Sequence, residues 1–249
     1  MKIIRCQTPA ELGQKVAEAT AQILKKAIAD KGVAYLLVST GASQFTTFEA
    51  LLKTDIDWTK VEMFHLDEYI NMPDTHPASF IKYLKERFAN HVSLKAAHYV
   101  ETTVSVDEII ARLTKELDAK PIDLGLIGIG ENAHIAFNDP PADFEDEAAY
   151  KIVKLDEACR RQQFGEGWFP TFDDVPTEAI SMTVKQILKC KKIISAVPFK
   201  VKAQAIYNTF TAKEITPDIP ATALRMHKDV TVYLDADSAS LIDENLTEV

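Results

Sequence analysis

A chain of 249 residues with 47% hydrophobic and 26% charged side chains has the composition of a soluble globular protein, which excludes disorder as its dominant state. Lys and Arg number 28 against 37 Asp and Glu, for a formal charge of -9. Such an anionic surface argues against nucleic acid as a partner, because that binding rests on neutralising phosphates with basic side chains, while a locally basic pocket for an anionic metabolite stays open. No run approaches the roughly 18 apolar residues of a membrane span, and the opening MKIIRCQTPAELGQ lacks the pattern of a signal peptide. Cys6, Cys159 and Cys190 are odd in number and widely spaced, which fits a reduced, cytoplasmic setting away from the membrane.

In chain order, Thr8-Pro9-Ala10-Glu11 is a capping-box pattern with Pro9 at the first helical position. Leu12, Val16, Ala19, Ile23 and Ala27 then recur at helical spacing to about Lys31, where Gly32 is a natural C-cap. Val33–Val38 is a continuous apolar run of the kind buried on both faces of a parallel sheet. The alternation continues with a helix over Gln44–Lys53, a strand over Val61–Leu66 and a helix from Pro77 to about Ala89. A second capping box, Ser105-Val106-Asp107-Glu108, opens a helix to about Asp118, and Ile122–Ile127 is another buried strand. Beyond it lie the apolar alternation Ile152–Leu155, a helix near Val184–Lys189, a strand over Lys192–Val197, a helix near Val201–Phe210 and a strand over Val230–Leu234. No repeat, low-complexity run or linker interrupts the pattern. It predicts one α/β domain over residues 1–249: a doubly wound, mostly parallel sheet with helices on both faces, three layers in the Rossmann manner.

Ligands of such sheets sit beyond the carboxyl ends of the strands, which singles out three loops. The first, Ser39-Thr40-Gly41-Ala42-Ser43-Gln44, leaves a strand and opens a helix. It is either a phosphate cradle, with helix-terminal amides and hydroxyls as donors, or a plain turn with a Ser or Thr cap. It lacks the lysine and the spacing of a P-loop. The second, Phe64-His65-Leu66-Asp67-Glu68-Tyr69, places two acids past a strand end, either as a general base or as a solvated loop whose Asp67 caps a helix. The third runs from Gly128-Ile129-Gly130 through Asn132 and His134 to Asn138-Asp139-Pro140. A histidine among amide and carboxylate neighbours is either an acid/base or merely structural. No spaced His/Cys/Asp cluster calls for a metal, and no cofactor is implied.

Taken together, the three loops resemble the glucosamine-6-phosphate deaminase/isomerase family, which shares its fold with 6-phosphogluconolactonases. The family's TGG-type turn, its DEY and its GIGxxGHIAFNxP correspond here to Thr40-Gly41-Ala42, Asp67-Glu68-Tyr69, and Gly128-Ile129-Gly130 with His134 through Pro140. His76-Pro77-Ala78-Ser79-Phe80 is similar to the family's HPxSF segment. The likeness runs from about residue 10 to residue 235, and Ile135-Ala136-Phe137-Asn138 favours the aminosugar branch over the lactonases, which more typically carry GHTAS. The resemblance implies a small phosphosugar as partner. It implies Asp67 as the base that moves a proton between C2 and C1, and His134 as the group that assists ring opening. Lys202, in Lys202-Ala203-Gln204-Ala205, would meet the substrate phosphate together with Gly41, Ala42, Ser43 and Gln44. Family members differ in oligomeric state, so self-association into a homo-oligomer is compatible with it.

Four departures from the family pattern stand out. Asn132 replaces an aspartate two residues before the histidine, and an amide accepting from the ring without bringing charge should leave His134 a weaker base. Asp139 replaces a glutamate and is one methylene shorter. Ala42 stands where the turn has its second glycine. The ARFF-like stretch reads Gln163-Phe164-Gly165-Glu166-Gly167-Trp168-Phe169, without the arginine that often grips phosphate, which leaves Arg160 or Arg161 as stand-ins. The reading that results is an aminosugar-phosphate isomerase/deaminase using Asp67, His134, Asn132 and Asp139. A lactonase-type hydrolase and a non-catalytic sugar-phosphate sensor are the alternatives.

Overall fold

The structure, a computed structural model, describes residues 1–102, 105–165 and 167–249. The chain opens with β1 (Lys2–Arg5), α1 (Pro9–Lys31), β2 (Ala34–Val38), α2 (Phe45–Leu51), β3 (Val61–His65) and β4 (Asp67–Tyr69). It continues with α3 (Phe80–Arg87), β5 (Ala96–His98), α4 (Val106–Ala119), β6 (Leu124–Leu126), β7 (Tyr150–Lys154) and α5 (Glu157–Gly165). β8 (Glu178–Met182), α6 (Val184–Ile187), β9 (Ile193–Val197), α7 (Ala203–Thr211) and β10 (Val230–Leu234) complete it.

Seven strands form one parallel sheet in the order β1-β10-β9-β6-β2-β3-β5. Leaving β1 aside, the order read from β5 is that of a Rossmann sheet, which reverses direction between β2 and β6. Strand alternation sends neighbouring side chains to opposite faces. Leu36, Val38, Met63, Leu126, Ile194 and Ala196 join the core under α1, α2 and α3. Leu37, Phe64, Ile193, Val197 and Val232 join the core under α4, α6 and α7. Both faces of the strands are therefore apolar, and that is why they read as unbroken hydrophobic runs. Each fully buried Leu or Phe contributes about 1.5–3 kcal/mol, so the sheet is a rigid base for the loops at its edge.

A second sheet, β4-β8-β7, is antiparallel and packs over a smaller cluster containing Tyr69, Phe137, Cys159 and Phe169. The sequence patterns do not foretell it. Its members are three-residue Asp67–Tyr69, mixed-polarity Glu178–Met182 and half-exposed Tyr150–Lys154, and their pairing is set by distant partners. The short edge strands β1 and β5 are likewise unannounced.

Helix α1 is capped as expected: Thr8 Oγ1 accepts the Glu11 amide at 3.2 Å, and the Gly32 amide closes on the Ile28 carbonyl at 2.8 Å with φ 80°. The Glu11 carboxylate bonds the Gln7 amide, at 2.7 Å. The second capping box does not form, for Ser105 is the N-cap of α4 without a side-chain hydrogen bond. Gly13 is where α1 crosses α2, since a Cβ there would stand 2.5 Å from the Thr46 carbonyl. Gly13→Ala should therefore cost about 1–3 kcal/mol through overpacking, despite the gain of up to about 1 kcal/mol in helix propensity. A lower urea midpoint at unchanged m-value would register the loss.

Candidate active site

Four neighbouring strands of the parallel sheet, β9-β6-β2-β3, end at one cleft. It is lined by residues 39–43 after β2, Leu66 and Asp67 after β3, residues 128–131 and His134 after β6, and Phe199, Val201 and Lys202 after β9. The cleft offers about 190 Å³ to water-sized groups and lies across the point where the strand order reverses, where open α/β sheets hold their ligands. Ser39 Oγ accepts the Gly128 amide at 3.1 Å and so ties the two loops that flank this crevice.

The turn after β2 depends on Gly41, whose φ of 99° and ψ of 165° suit only a residue without Cβ. Ala42 opens a 3-10 turn, Ala42–Gln44, that leads into α2, and it is absent from the positive-φ residues. Its methyl group is thus tolerated where the family pattern has glycine. The Ala42 and Ser43 amides begin the helical run and by position have no intrahelical carbonyl to bond. Gln44 differs from the expectation of a cradle residue. Its amide is used by the Gly41 carbonyl at 3.0 Å. Its buried side chain bonds Ser43 Oγ at 3.0 Å and the Ala196 carbonyl at 3.2 Å, so it supports the turn from beneath. Tyr83 donates its hydroxyl to the Gly41 carbonyl at 2.9 Å.

The two acids of Asp67-Glu68 part company because β4 is a strand and sends them to opposite sides. Asp67 lines the cleft, only 6% exposed. Burial pushes its carboxyl up to about 8, with the charges of Glu68 and Asp139 adding and the Phe137 amide opposing. Glu68 turns inward to the start of α3, where it accepts from Ser79 Oγ and the Ile81 amide, each at 2.9 Å, besides the Tyr69 amide at 2.9 Å. Burial raises it to about 7 against those donors.

His134 is held from three sides. Its carbonyl accepts the Gly130 amide at 2.9 Å. Its ring lies on the α-carbon of Gly130, so close that a Cβ there would come within 2.3 Å of ring atoms. Its Nδ1 faces Asp139 Oδ1 at 3.0 Å, a close contact off the N–H axis rather than a linear hydrogen bond. Asn132 does not accept from the ring, contrary to expectation. Its Oδ1 accepts the His134 amide at 3.1 Å and its Nδ2 donates to Asp139 Oδ1 at 2.8 Å. The shorter carboxylate of Asp139 still reaches the imidazole, so the ring keeps an anionic partner. Burial acts to raise Asp139, but His134, then Asn132 and Cys159, outweigh it and hold its carboxyl at about 2. Asn138 anchors the bend by donating to the Ile135 and Met182 carbonyls, each at 2.9 Å.

Lys202 ends the 3-10 turn Lys200–Lys202 and is the one lysine or arginine among the described residues lining the cleft. Arg160 and Arg161 are turned elsewhere. The first donates to the Val175 and Phe172 carbonyls at 3.0 and 3.1 Å, and the second pairs with Glu157. Gln162 and Gln163 of α5 line the cleft instead, and Gln163 Oε1 accepts the Tyr69 hydroxyl at 2.6 Å. Glu166 of this stretch lies outside the described residues. Gln162 and Phe199 had no signal in sequence, since a Gln on a short helix or a Phe after a strand is ordinary, while Gln163 and Phe80 lay in family-like segments with no role attached to them. Among the described residues, no group of three or more His, Cys, Asp or Glu is placed to hold a metal ion, and no helix is long and apolar enough to cross a membrane.

Comparison with known proteins places the chain in a family. Residues 7–233 match the family model described as glucosamine-6-phosphate isomerases/6-phosphogluconolactonase. The chain is 34% identical to glucosamine-6-phosphate deaminase of Thermoanaerobacter sp. (strain X514), covering 100% of this chain and 98% of the relative. It is 32% identical to glucosamine-6-phosphate deaminase 1 of Bacillus subtilis (strain 168), with 97% and 99% covered. Among solved structures, a monomeric glucosamine-6-phosphate deaminase superposes with a TM-score of 0.88 at 31% identity, covering 97% of this chain and 100% of that one. The 6-phosphogluconolactonase of Thermotoga maritima superposes at 0.77 with 16% identity, covering 94% and 98%, a likeness of fold. By sequence match and by structure, the chain belongs to the glucosamine-6-phosphate isomerase/6-phosphogluconolactonase family.

Proposed function

We propose that this protein is an aminosugar-phosphate isomerase/deaminase that converts glucosamine 6-phosphate, or a close hexosamine 6-phosphate, and water to fructose 6-phosphate and ammonia. The observation that carries the reading is the sharing of one cleft by a buried carboxyl, Asp67, and a carboxylate-paired imidazole, His134, beside the turn at 41–43 and Lys202. The Ala42 and Ser43 amides, the Ser43 hydroxyl and the Lys202 ammonium hold the phosphate. With Nδ1 turned to Asp139, His134 works through Nε2. It takes the proton from the C1 hydroxyl and returns it to the ring oxygen, which opens the sugar. Asp67 then removes the C2 proton, the C1 carbonyl oxygen gains a proton from solvent water, and an enolamine forms. Protonation at C1 moves the double bond to C2–N, water adds at C2, and ammonia leaves. In this scheme Asp139 and Asn132 orient and charge-balance the imidazole. The three buried free cysteines support a reduced, cytoplasmic setting for this hydrolase of amino sugar metabolism.

Ammonia release over a panel of hexosamine 6-phosphates tests the reading. The expected result is turnover of at least one hexosamine 6-phosphate, accompanied by exchange of its C2 proton in heavy water. Hydrolysis of a sugar-lactone phosphate without such exchange would move the protein to the lactonase chemistry. Asp67→Asn should abolish both ammonia release and C2 exchange while substrate affinity, measured by calorimetry, stays within a few-fold.

The raised Asp67 carboxyl gives a pH dependence of definite sign. A base must be ionised to act, and burial holds this one protonated up to about pH 8. kcat/KM, which reports the free enzyme, should therefore climb with pH and level off above about 8. A limb that instead levels near pH 4–5, about where an unperturbed carboxylate titrates, would contradict the assignment.

Gly130→Ala should push the imidazole off its seat, because the new methyl group would collide with the ring. A misplacement near 1 Å costs about 100-fold in rate. A fall of that order in kcat/KM with an unchanged melting curve is the expected outcome, and full activity would release His134 from its role.

A further inference from the structure

Phe199 sits in a backbone conformation that a phenylalanine almost never takes. It follows Pro198 at the end of β9 with φ 82° and ψ 143°. That lies outside the left-handed helical well, in an extended positive-φ region entered almost solely by glycine, and such residues cost about 1–3 kcal/mol each. Strain of this size persists only where its surroundings enforce it. The Phe199 amide donates to Asp235 Oδ2 at 3.1 Å, and the Phe199 carbonyl accepts the Lys202 amide at 3.0 Å. Asp235, 1% exposed at the end of β10, is itself fixed by the Ser238 amide on Oδ1 at 2.8 Å. This clamp starts the 3-10 turn that delivers Lys202 to the cleft, and glycine would serve it without strain. What phenylalanine adds is its side chain, and Phe199 lines the cleft together with Val201 and Lys202.

The phosphate end of the cleft shows why an apolar wall matters there. Lys202 is the one lysine or arginine among the described lining residues, and the amides of the turn would hold inorganic phosphate as readily as a phosphate monoester. Discrimination must come from contact with the carbon skeleton. We infer that Phe199 is a specificity-determining residue: its ring packs against the C–H face of the phosphosugar and makes the cleft select a sugar 6-phosphate over smaller phosphate anions. This rests on the proposed phosphosugar reading, and it explains why a strained phenylalanine stands where glycine would fit.

The test compares the wild-type protein with Phe199→Gly and Phe199→Ala. Both variants lose the ring, but only glycine relieves the backbone. Phe199→Gly should therefore melt higher than Phe199→Ala by about 2–10 °C. Calorimetric titration with glucosamine 6-phosphate should show about tenfold weaker binding in both variants, whereas the affinity for inorganic phosphate should stay within about twofold of wild type. Phosphosugar affinity unchanged in Phe199→Gly overturns the inference, as does an equal loss of affinity for inorganic phosphate, which would make Phe199 a support for the phosphate cradle alone. Equal melting temperatures for the two variants would remove the strain argument and with it the inference. Binding does not require turnover. A protein that binds hexosamine 6-phosphate through Phe199 yet releases no ammonia would refute the deaminase reading and leave this one standing. Absence of any phosphosugar binding by the wild-type protein would refute both.

Discussion

The site hangs on the contact between the Asp139 carboxylate and His134 Nδ1, 3.0 Å apart and largely shielded from water. A carboxylate in that position turns Nδ1 of the ring to Asp139 and leaves Nε2 as the nitrogen available for chemistry. The replacement of a family aspartate by Asn132 is therefore absorbed. The charge comes from Asp139, and Asn132 serves it by bonding Asp139 Oδ1 with its amide nitrogen and the His134 amide with its oxygen. A sensor that had lost its catalytic charge would show no such carboxylate. The intact pair weighs against that alternative.

Two carboxyls within one cleft are driven in opposite directions. Burial, with the charges of Glu68 and Asp139, raises Asp67 to about 8, while Asp139 is held at about 2, against its own burial, by His134, Asn132 and Cys159. Pairs of titratable groups separated in this way by environment divide acid/base labour in proteins. The separation follows from topology. Leu66 is where the chain leaves the parallel sheet, and Asp67 enters the antiparallel one opposite Ser181, so the carboxyl is carried beneath the cleft instead of into solvent. Glu68, its neighbour in sequence, cannot share the task, because the strand turns it toward the first amides of α3.

The parallel sheet was legible because its strands are apolar on both faces and stand between well-punctuated helices. The place of Gly41, Asp67 and His134 at the cleft was legible because strand-end loops are where such sheets hold ligands, whereas the roles expected of them came from the family resemblance. What could not be read was anything fixed by a distant partner. The sheet β4-β8-β7 joins residues 67–69 to residues 150–154 and 178–182, and neither segment has a periodicity that names the other. Gln44 looked equal to its neighbours as an amide donor until the Gly41 carbonyl claimed its N–H. Asn132, two residues from the histidine, was the expected ring partner. The bend through Ala136, at φ 51°, brings Asp139 back to the ring instead.

The chain is sparing with glycine, and the cleft shows where it is indispensable. Three of the four non-glycine residues at positive φ among the described residues, Ala133, Ala136 and Phe199, belong to the loops after β6 and β9 that build the cleft. The fourth, Asn71, is of a type that tolerates the left-handed well. At Ala133 the backbone alone is at stake, φ 67°, and a methyl group there costs about 1–2 kcal/mol, which a large core absorbs. At Gly130 the obstacle is another side chain. The His134 ring fills the space a Cβ would take, and no stability elsewhere can restore a displaced imidazole. Conformational strain is thus tolerated around this site, because it is a cost to the whole fold, whereas a steric clash with the His134 ring moves the one group on which the proposed proton transfer depends and cannot be offset from a distance.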